Sequence, residues 1–542
     1  MLTKRKVLTV TIVMTSLLVG CGKGSGKSAN GKESSVKVEE KGFPIVKEKL
    51  EMTMMAPGTG LAEWKDMPML KDYSEKTGIN FKYTTPPLSD FQTKLNLAFA
   101  SGDLSDIIFG AGSTALTPAM EIDYGSQGIL LPLEDLIPKY APNLNKLMEE
   151  DPSIRKSITT PDGHIYTLPS IARDDTSIWP RGPLWYKGAW LKKLGVKELP
   201  KTTDEFYDLL VRFRDEDPNG NGKKDEVPLT DTKMDSSRDW LMAAFGMKSQ
   251  SIEEVNGEVR YPPVTENYKG YVTFMHKLYD EGLLDKEVYS QADEQRKAKG
   301  QNDQVGIFPD WFSYFTTGQS ENEALENPMF QPLTSKYSKK AVVPGSPRLA
   351  RGVFALTEKN PSPEASLRWV DYFYSKEGAQ YLNQGPEGAL WKYEKNNKGE
   401  KIRVFNDGID LENREDERGK ITPNYGIAVP GIGLPIPGIA VKANDKDDND
   451  FSTFIKEETD TKIVPYAETP FPLVYLTKEQ QDQVSAVATD LQTYVEQMEA
   501  KFITGVEPLE NWDKFVSTIN SMGVDDYVKV YQEAYDTWKA AE

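Results

Sequence analysis

The chain has almost no cysteine or histidine: one cysteine and two histidines occur in 542 residues. A disulfide within the chain is therefore impossible, and cysteine-based metal sites and thiol catalysis are excluded. Positive charge is also in short supply, since 65 Lys and Arg stand against 83 Asp and Glu and give a net charge of -18. Such a field opposes binding to nucleic acid and to anionic membrane surfaces.

The single cysteine, Cys21, lies at the end of a predicted secretory signal. Lys4, Arg5 and Lys6 precede an uncharged stretch over 7–19, which is too short to span a bilayer. The tetrad 18–21, Leu-Val-Gly-Cys, resembles the bacterial lipobox, in which the cysteine is diacylated and becomes the first mature residue. The sequence therefore predicts a signal peptide over 1–20, lipidation of Cys21 with palmitate-type chains, and a flexible linker over 21–45. An ordinary signal with an incidental or buried cysteine is the alternative.

Calcium is the metal that the sequence suggests, in a loop that begins at Asp217. Oxygen-bearing side chains recur at loop positions 1, 3 and 5, a glycine follows at position 6, and position 7 can offer its main-chain carbonyl, as in an EF-hand. Pro228 replaces the bidentate glutamate at position 12, so acidic groups at positions 9 and 10 must serve instead. A polar turn without metal is the alternative. The candidate ligands of this structural calcium are Asp217, Asn219, Asn221, Lys223, Asp225 and Glu226.

The N-terminal part of the folded body alternates between strand and helix patterns. The predicted order is βαβαβ, with elements at 50–56, 61–76, 80–84, 90–100 and 107–109. Strands separated by helices form a parallel sheet, and ligands of such sheets bind beyond the carboxyl ends of the strands. The chain is also longer than one hydrophobic core usually supports, so we expect at least two lobes.

Several strings along the chain resemble extracellular solute-binding proteins of ABC sugar importers, particularly the large alginate- and oligosaccharide-binding lipoproteins. In chain order they are Ala100–Asp106, Leu184–Lys187 with Trp190–Gly195, Pro200–Pro228, Pro363–Ala365, Gly385–Trp391, Phe502–Gly505, Trp512–Asp513 and Tyr531–Tyr535. The resemblance implies an α/β, periplasmic-binding-protein-like type II fold, with two doubly wound lobes joined by hinge segments around a ligand cleft. We expect the N-terminal lobe at 46–168 and 345–388, and the C-terminal lobe, with the calcium loop, at 169–344 and 389–542.

The resemblance also implies a function: capture of an oligosaccharide and its delivery to an ABC permease, without catalysis. The protein is expected as a monomer at the extracellular face of the bacterial cell membrane, attached only by its lipid. Sugar clefts combine aromatic rings with polar side chains, and core packing is the alternative for any single tryptophan. The expected ligand contacts are Trp311, Trp391, Asp310, Glu387, Trp185, Trp179 and Arg181.

Other functions remain open at this stage. A secreted glycoside hydrolase needs only two carboxylates at the right separation, and the chain has many. A binding protein for a peptide or another solute would share the fold, because fold alone does not fix the ligand. A surface adhesin or a partner of a receptor kinase is a third class.

Overall fold

A computed structural model describes residues 36–540, except 181, 412 and 444–449. The predicted signal peptide, Cys21, most of the linker and Arg181 lie outside the described residues. The strands are β1 Leu50–Met55, β2 Ile79–Thr84, β3 Ile107–Phe109, β4 Thr167–Ala172, β5 Leu184–Tyr186, β6 Val227–Leu229, β7 Glu253–Val255, β8 Glu258–Arg260, β9 Val305–Pro309, β10 Val343–Pro344, β11 Leu349–Leu356, β12 Trp391–Lys395, β13 Lys401–Phe405, β14 Gly431–Gly433 and β15 Ala467–Glu468.

Helices make up most of the remaining structure. They are α1 Pro68–Thr77, α2 Phe91–Ser101, α3 Pro118–Ser126, α4 Ile137–Tyr140, α5 Pro142–Glu150, α6 Pro152–Ile158, α7 Gly188–Lys193, α8 Thr203–Asp215, α9 Ser237–Ala243, α10 Glu266–Asp280, α11 Asp293–Gln301, α12 Ser313–Thr317, α13 Glu321–Ala324, α14 Pro363–Asp371, α15 Lys376–Gln384, α16 Arg414–Ile421, α17 Asp450–Lys462, α18 Lys478–Ser485, α19 Ala488–Ile503, α20 Trp512–Ser521 and α21 Val524–Ala540. Among the described residues, no helix combines the length and the apolar composition needed to cross a bilayer.

The first sheet contains the predicted βαβαβ unit. β1 pairs in parallel with both β2 and β3, with α1 and α2 as the connecting helices. All three residues of β3 are buried, as expected for a strand covered on both faces. The prediction of a parallel sheet in this region is therefore confirmed.

Three later strands complete this sheet in the order β14-β4-β11-β3-β1-β2. β11 runs antiparallel to β3 and β4, whereas β14 is parallel to β4. The carboxyl ends of five strands therefore meet at one edge. β14 lies within 389–542, which was expected in the C-terminal lobe, and β4 continues past the expected boundary at 168. The pairing of these distant segments in one sheet leaves no local signal in the sequence.

The second sheet has the order β5-β9-β6, with β6 parallel and β5 antiparallel to β9. It lies in a separate hydrophobic core from the first sheet, and the C-terminal helices α19 to α21 pack into that second core. The sequence of α8 explains why a helix forms at these residues and which face it buries. Thr202 caps the helix by accepting a hydrogen bond from the backbone N–H of Glu205, and four apolar residues at helical spacing are buried. Those residues are Phe206, Leu209, Leu210 and Phe213.

Candidate ligand-binding site

The carboxyl end of β9 presents the most exposed tryptophan among those predicted to contact ligand. β9 ends at Pro309, and the next two residues are Asp310 and Trp311. Because β6 runs parallel to β9, both strands end at the same edge of the second sheet. Trp311 therefore lies where α/β sheets bind their ligands.

Three tryptophans lie in a row from the core to this surface. Trp185 in β5 is fully buried, Trp179 is 3% exposed, and Trp311 is 54% exposed. The rings of Trp179 and Trp311 are stacked, with centroids 6.2 Å apart and planes at 23°, and Trp185 meets Trp179 edge-on at 6.5 Å. Trp179 donates a hydrogen bond from its indole N–H to Thr459 of α17, at 3.0 Å. The inner face of Trp311 is thus covered by protein, and part of the ring remains open.

Asp310 holds the loop that carries Trp311. Its Oδ1 accepts a hydrogen bond from the backbone N–H of Trp311 at 2.9 Å, and its Oδ2 accepts one from Thr316 at 2.8 Å. The guanidinium of Arg296 lies 3.5 Å from the same Oδ2, and the carboxylate side chain is only 9% exposed. Its main-chain carbonyl accepts the indole N–H of Trp185 at 2.9 Å. In this structure Asp310 positions the loop and does not project freely toward a ligand.

Aromatic side chains continue from Trp311 along α12. Phe312 contacts Trp179 edge-on at 6.0 Å, and the ring of Tyr314 meets that of Phe315 at 4.6 Å. Burial raises the pKa of Tyr314 to about 12, and the charge of Arg414 acts in the opposite direction. Tyr314 and Phe315 thus extend the aromatic surface from Trp311 along α12.

Trp391 and Glu387 have different surroundings. Trp391 is 6% exposed and belongs to a small cluster with Leu390 and Ile421. The guanidinium of Arg403 lies over its ring, 4.5 Å from the centroid, and its indole N–H donates to the carbonyl of Gly385 at 3.3 Å. Glu387 is exposed. The structure therefore brings Trp179, Trp185, Asp310 and Trp311 together and places Trp391 in a separate cluster.

The loop from Asp217 to Glu226 has the internal hydrogen bonds of a turn built on side-chain oxygens. Asp217 accepts the backbone N–H groups of Gly220 and Gly222, at 3.0 Å and 3.3 Å, and Asn221 accepts that of Lys223 at 2.7 Å. The amide groups of Asn219 and Asn221 donate to Asp225, and these bonds are 3.2 Å and 3.0 Å. The Asn221 bond is the largest of the effects that lower the pKa of Asp225.

Glu226 is the residue of this loop without a complete set of partners. Its Oε1 is buried and has no hydrogen-bond partner. Burial raises the pKa of Glu226, and the charges of Asp225 and Asp217 add to that shift. Across the described ranges, no three His, Cys, Asp or Glu side chains converge as a preformed metal cluster. The carboxylates are nevertheless close enough to repel one another, and an unpartnered oxygen fits a hard cation.

The family model for bacterial extracellular solute-binding proteins matches residues 58–380. The chain belongs to this family. A relative from Streptococcus pneumoniae serotype 4, the fructooligosaccharide ABC transporter substrate-binding protein FusA, is 28% identical over 545 residues, which cover 98% of each chain. The structure of FusA in complex with kestose has a TM-score of 0.69 and 26% identity, and covers 91% of this chain and 100% of that one. A FusA EF-hand mutant with fructo-nystose has a TM-score of 0.69 and 25% identity over the same shares.

Sequence reasoning missed two polar residues of this solute-binding protein. Thr59 follows β1 at the carboxyl edge of the first sheet, and its hydroxyl is buried without a hydrogen-bond partner. Thr459 supports Trp179 from α17, 280 residues away in sequence. The turn at 57–60 directly follows the predicted strand at 50–56. This position beyond the carboxyl end of a strand is the signal that could have identified Thr59. Nothing local in the sequence marks Thr459.

Proposed function

We propose that this solute-binding protein captures an oligosaccharide between its lobes and delivers it to an ABC permease without changing any bond of the sugar. The open face of Trp311, backed by Trp179, is the observation that carries the proposal. The likeness to FusA over nearly the whole chain supports a fructooligosaccharide or a similar short glycan as ligand. Peptides and other solutes are the alternative ligands of the same fold.

A backed indole suits a sugar because one face of a sugar ring carries C–H groups that pack on an aromatic surface. The platform must be rigid, since each side chain that is ordered on binding reduces the affinity. Here Trp179 supports the ring and Asp310 fixes the backbone of the loop. Sugar hydroxyls also need hydrogen-bonding groups, and Thr59 on the first lobe has a buried hydroxyl without a partner close to the carboxyl edge of its sheet.

We propose further that Cys21 carries the lipid that holds the protein at the extracellular face of the membrane. Support comes from the lipobox-like tetrad and from the absence of any other cysteine that could compete for this role. The polar linker after Cys21 would allow the folded body to stand away from the lipid surface.

Calcium is proposed as a structural ion of the loop. Asp217, Asn219, Asn221, Asp225 and Glu226 would hold it with side-chain oxygens, and Lys223 would contribute its main-chain carbonyl. The support is the spacing of these oxygens and the unpartnered Oε1 of Glu226. The ion would screen three carboxylates at the point where Gln304, just before β9, donates to Asp225 at 3.2 Å. It would thereby stabilise the strand that ends beside Trp311.

Thermal unfolding of the purified protein in calcium, against a panel of oligosaccharides, tests this function. The panel contains kestose, longer fructans, neutral glucans and oligogalacturonates, and each sugar is analysed for cleavage afterwards. A ligand at one hundred times its Kd stabilises the folded state by about 2.7 kcal/mol. We expect a rise in Tm with the sugar intact. Cleavage would reassign the protein as a hydrolase, and no shift with any glycan would count against the sugar.

A further inference from the structure

A fully buried carboxylate joins the first lobe to a segment of the second. Glu121, in the first turn of α3, has no exposed surface. Its Oε2 accepts hydrogen bonds from Thr167 of β4, at 2.9 Å, and from the hydroxyl of Tyr475, at 2.8 Å. Its Oε1 is buried without a partner. Tyr475 therefore provides one of the bonds that compensate the burial of this side chain.

Arg351 of β11 holds the same segment from a second direction. Its guanidinium carbon lies 4.1 Å from the ring centroid of Tyr475, a cation–π contact. Its terminal nitrogens donate to the main-chain carbonyl of Val474, at 3.1 Å and 3.2 Å. The same guanidinium donates to the carbonyl of Ser157 in α6, at 3.4 Å. Tyr475 therefore contacts two side chains of the first lobe, Glu121 from α3 and Arg351 from β11.

The strand β11 is irregular where it carries Arg351. The register between β11 and β4 shifts between Ala350 and Phe354, and Gly352 lies within the shift at φ +69°. A Cβ atom at Gly352 would lie 2.6 Å from the carbonyl oxygen of Leu116, so no other residue fits there without movement. Bulges of this kind redirect neighbouring side chains.

The segment Pro470–Leu476 is anchored in the second lobe. The carbonyl of Pro470 accepts the backbone N–H of Glu254 in β7, at 2.8 Å, and Val474 and Leu476 are buried in the second hydrophobic core. Tyr475 alternates with these two residues and points the other way, into the first lobe. Separating the lobes here would expose the carboxylate of Glu121 and the guanidinium of Arg351 or leave them buried without partners, and either outcome costs free energy.

We propose that Tyr475 is a noncovalent strap that limits how far the two lobes separate in the absence of ligand. This inference rests on the proposed function in one respect, because a strap regulates a cleft that opens for a solute. The main chain connects the lobes covalently, and the strap adds a noncovalent restraint that is already present before a ligand binds.

Spin-label distances between the lobes test the strap. Replacing Cys21 by serine leaves the chain without thiols, so Leu97→Cys on α2 and Val506→Cys in the second lobe, both at exposed positions, can be labelled alone. Tyr475→Phe removes only the hydroxyl, and we expect its ligand-free distance distribution to broaden and to extend to longer distances. Lys478→Ala is the matched control, because it breaks a neighbouring exposed ion pair with Asp123.

An unchanged distribution in Tyr475→Phe would overturn the strap. If that variant does not fold, Arg351→Met gives the same test through the bonds to Val474. The measurement needs no ligand, so it is independent of the sugar panel. Failure of every glycan to bind, with a broadened distribution, would refute the proposed ligand and retain the strap.

Discussion

Truncating Trp311 is the most direct test of the binding surface. A tryptophan side chain that becomes fully buried covers roughly 150 to 250 Å². With 54% of Trp311 exposed in the free protein, about 80 to 130 Å² remains for a ligand to cover. At about 25 cal/mol per Å², covering most of that area contributes about 2 kcal/mol, which corresponds to about a 30-fold change in Kd.

The assay is calorimetric titration of Trp311→Ala, Trp311→Phe and the parent protein with the best sugar from the panel. We expect about 30-fold weaker binding for Trp311→Ala and an intermediate loss for Trp311→Phe, which keeps a smaller aromatic face. Tyr337→Ala, at an exposed aromatic position elsewhere on the second lobe, is the control and should bind normally. The reasoning is refuted if Trp311→Ala retains both its Tm and the affinity of the parent.

Three further predictions concern stability. Trp391→Ala should lower the unfolding free energy by about 3 to 5 kcal/mol in denaturant titration, because the Trp391 ring is buried under Arg403. The folded variant should keep the affinity of the parent for sugar. A loss of affinity at unchanged stability would contradict the placement of Trp391 in the core. Asp217→Asn should have a lower Tm than the parent in calcium and the same Tm as the parent in chelator. A parent Tm that does not change when calcium is removed would contradict the metal site. Burial raises the pKa of Asp371 from 3.8 to about 6. Its protonated form therefore favours the folded state, and this stability is present below about pH 4 and lost as the pH rises through 6. From pH 4 to pH 7 the parent should lose up to about 3 kcal/mol more than Asp371→Asn, and parallel pH profiles would contradict the shift.

Local patterns in the sequence predicted the first half of the larger sheet. Strands at 50–56, 80–84 and 107–109 alternate with helices, and each connection is short, so neighbours in sequence are neighbours in space. The structure places β1, β2 and β3 within a residue or two of these bounds. The buried face of α8 has the same kind of local origin, because helical spacing of apolar residues is a property of the sequence itself.

Long-range packing explains what sequence reasoning could not supply. Trp311 and Trp391 follow similar loop patterns, yet one is exposed and the other is covered by Arg403 from the next strand. The contact between Glu121 and Tyr475 joins residues 354 positions apart. β14 enters the first sheet through three residues rich in glycine, which carry no strand pattern. Each of these features depends on partners that only the complete fold brings near.

The stacked pair of Trp179 and Trp311 has an optical consequence. Indole rings at 6.2 Å and nearly parallel couple electronically, so Trp179 and Trp311 should share a near-ultraviolet circular dichroism signal that neither would give alone. Only the outer ring is open to solvent, and a molecule that covers it would alter both the shared signal and the quenching of fluorescence by small solutes. Occupancy could therefore be followed spectroscopically without any label, from the protein's own chromophores.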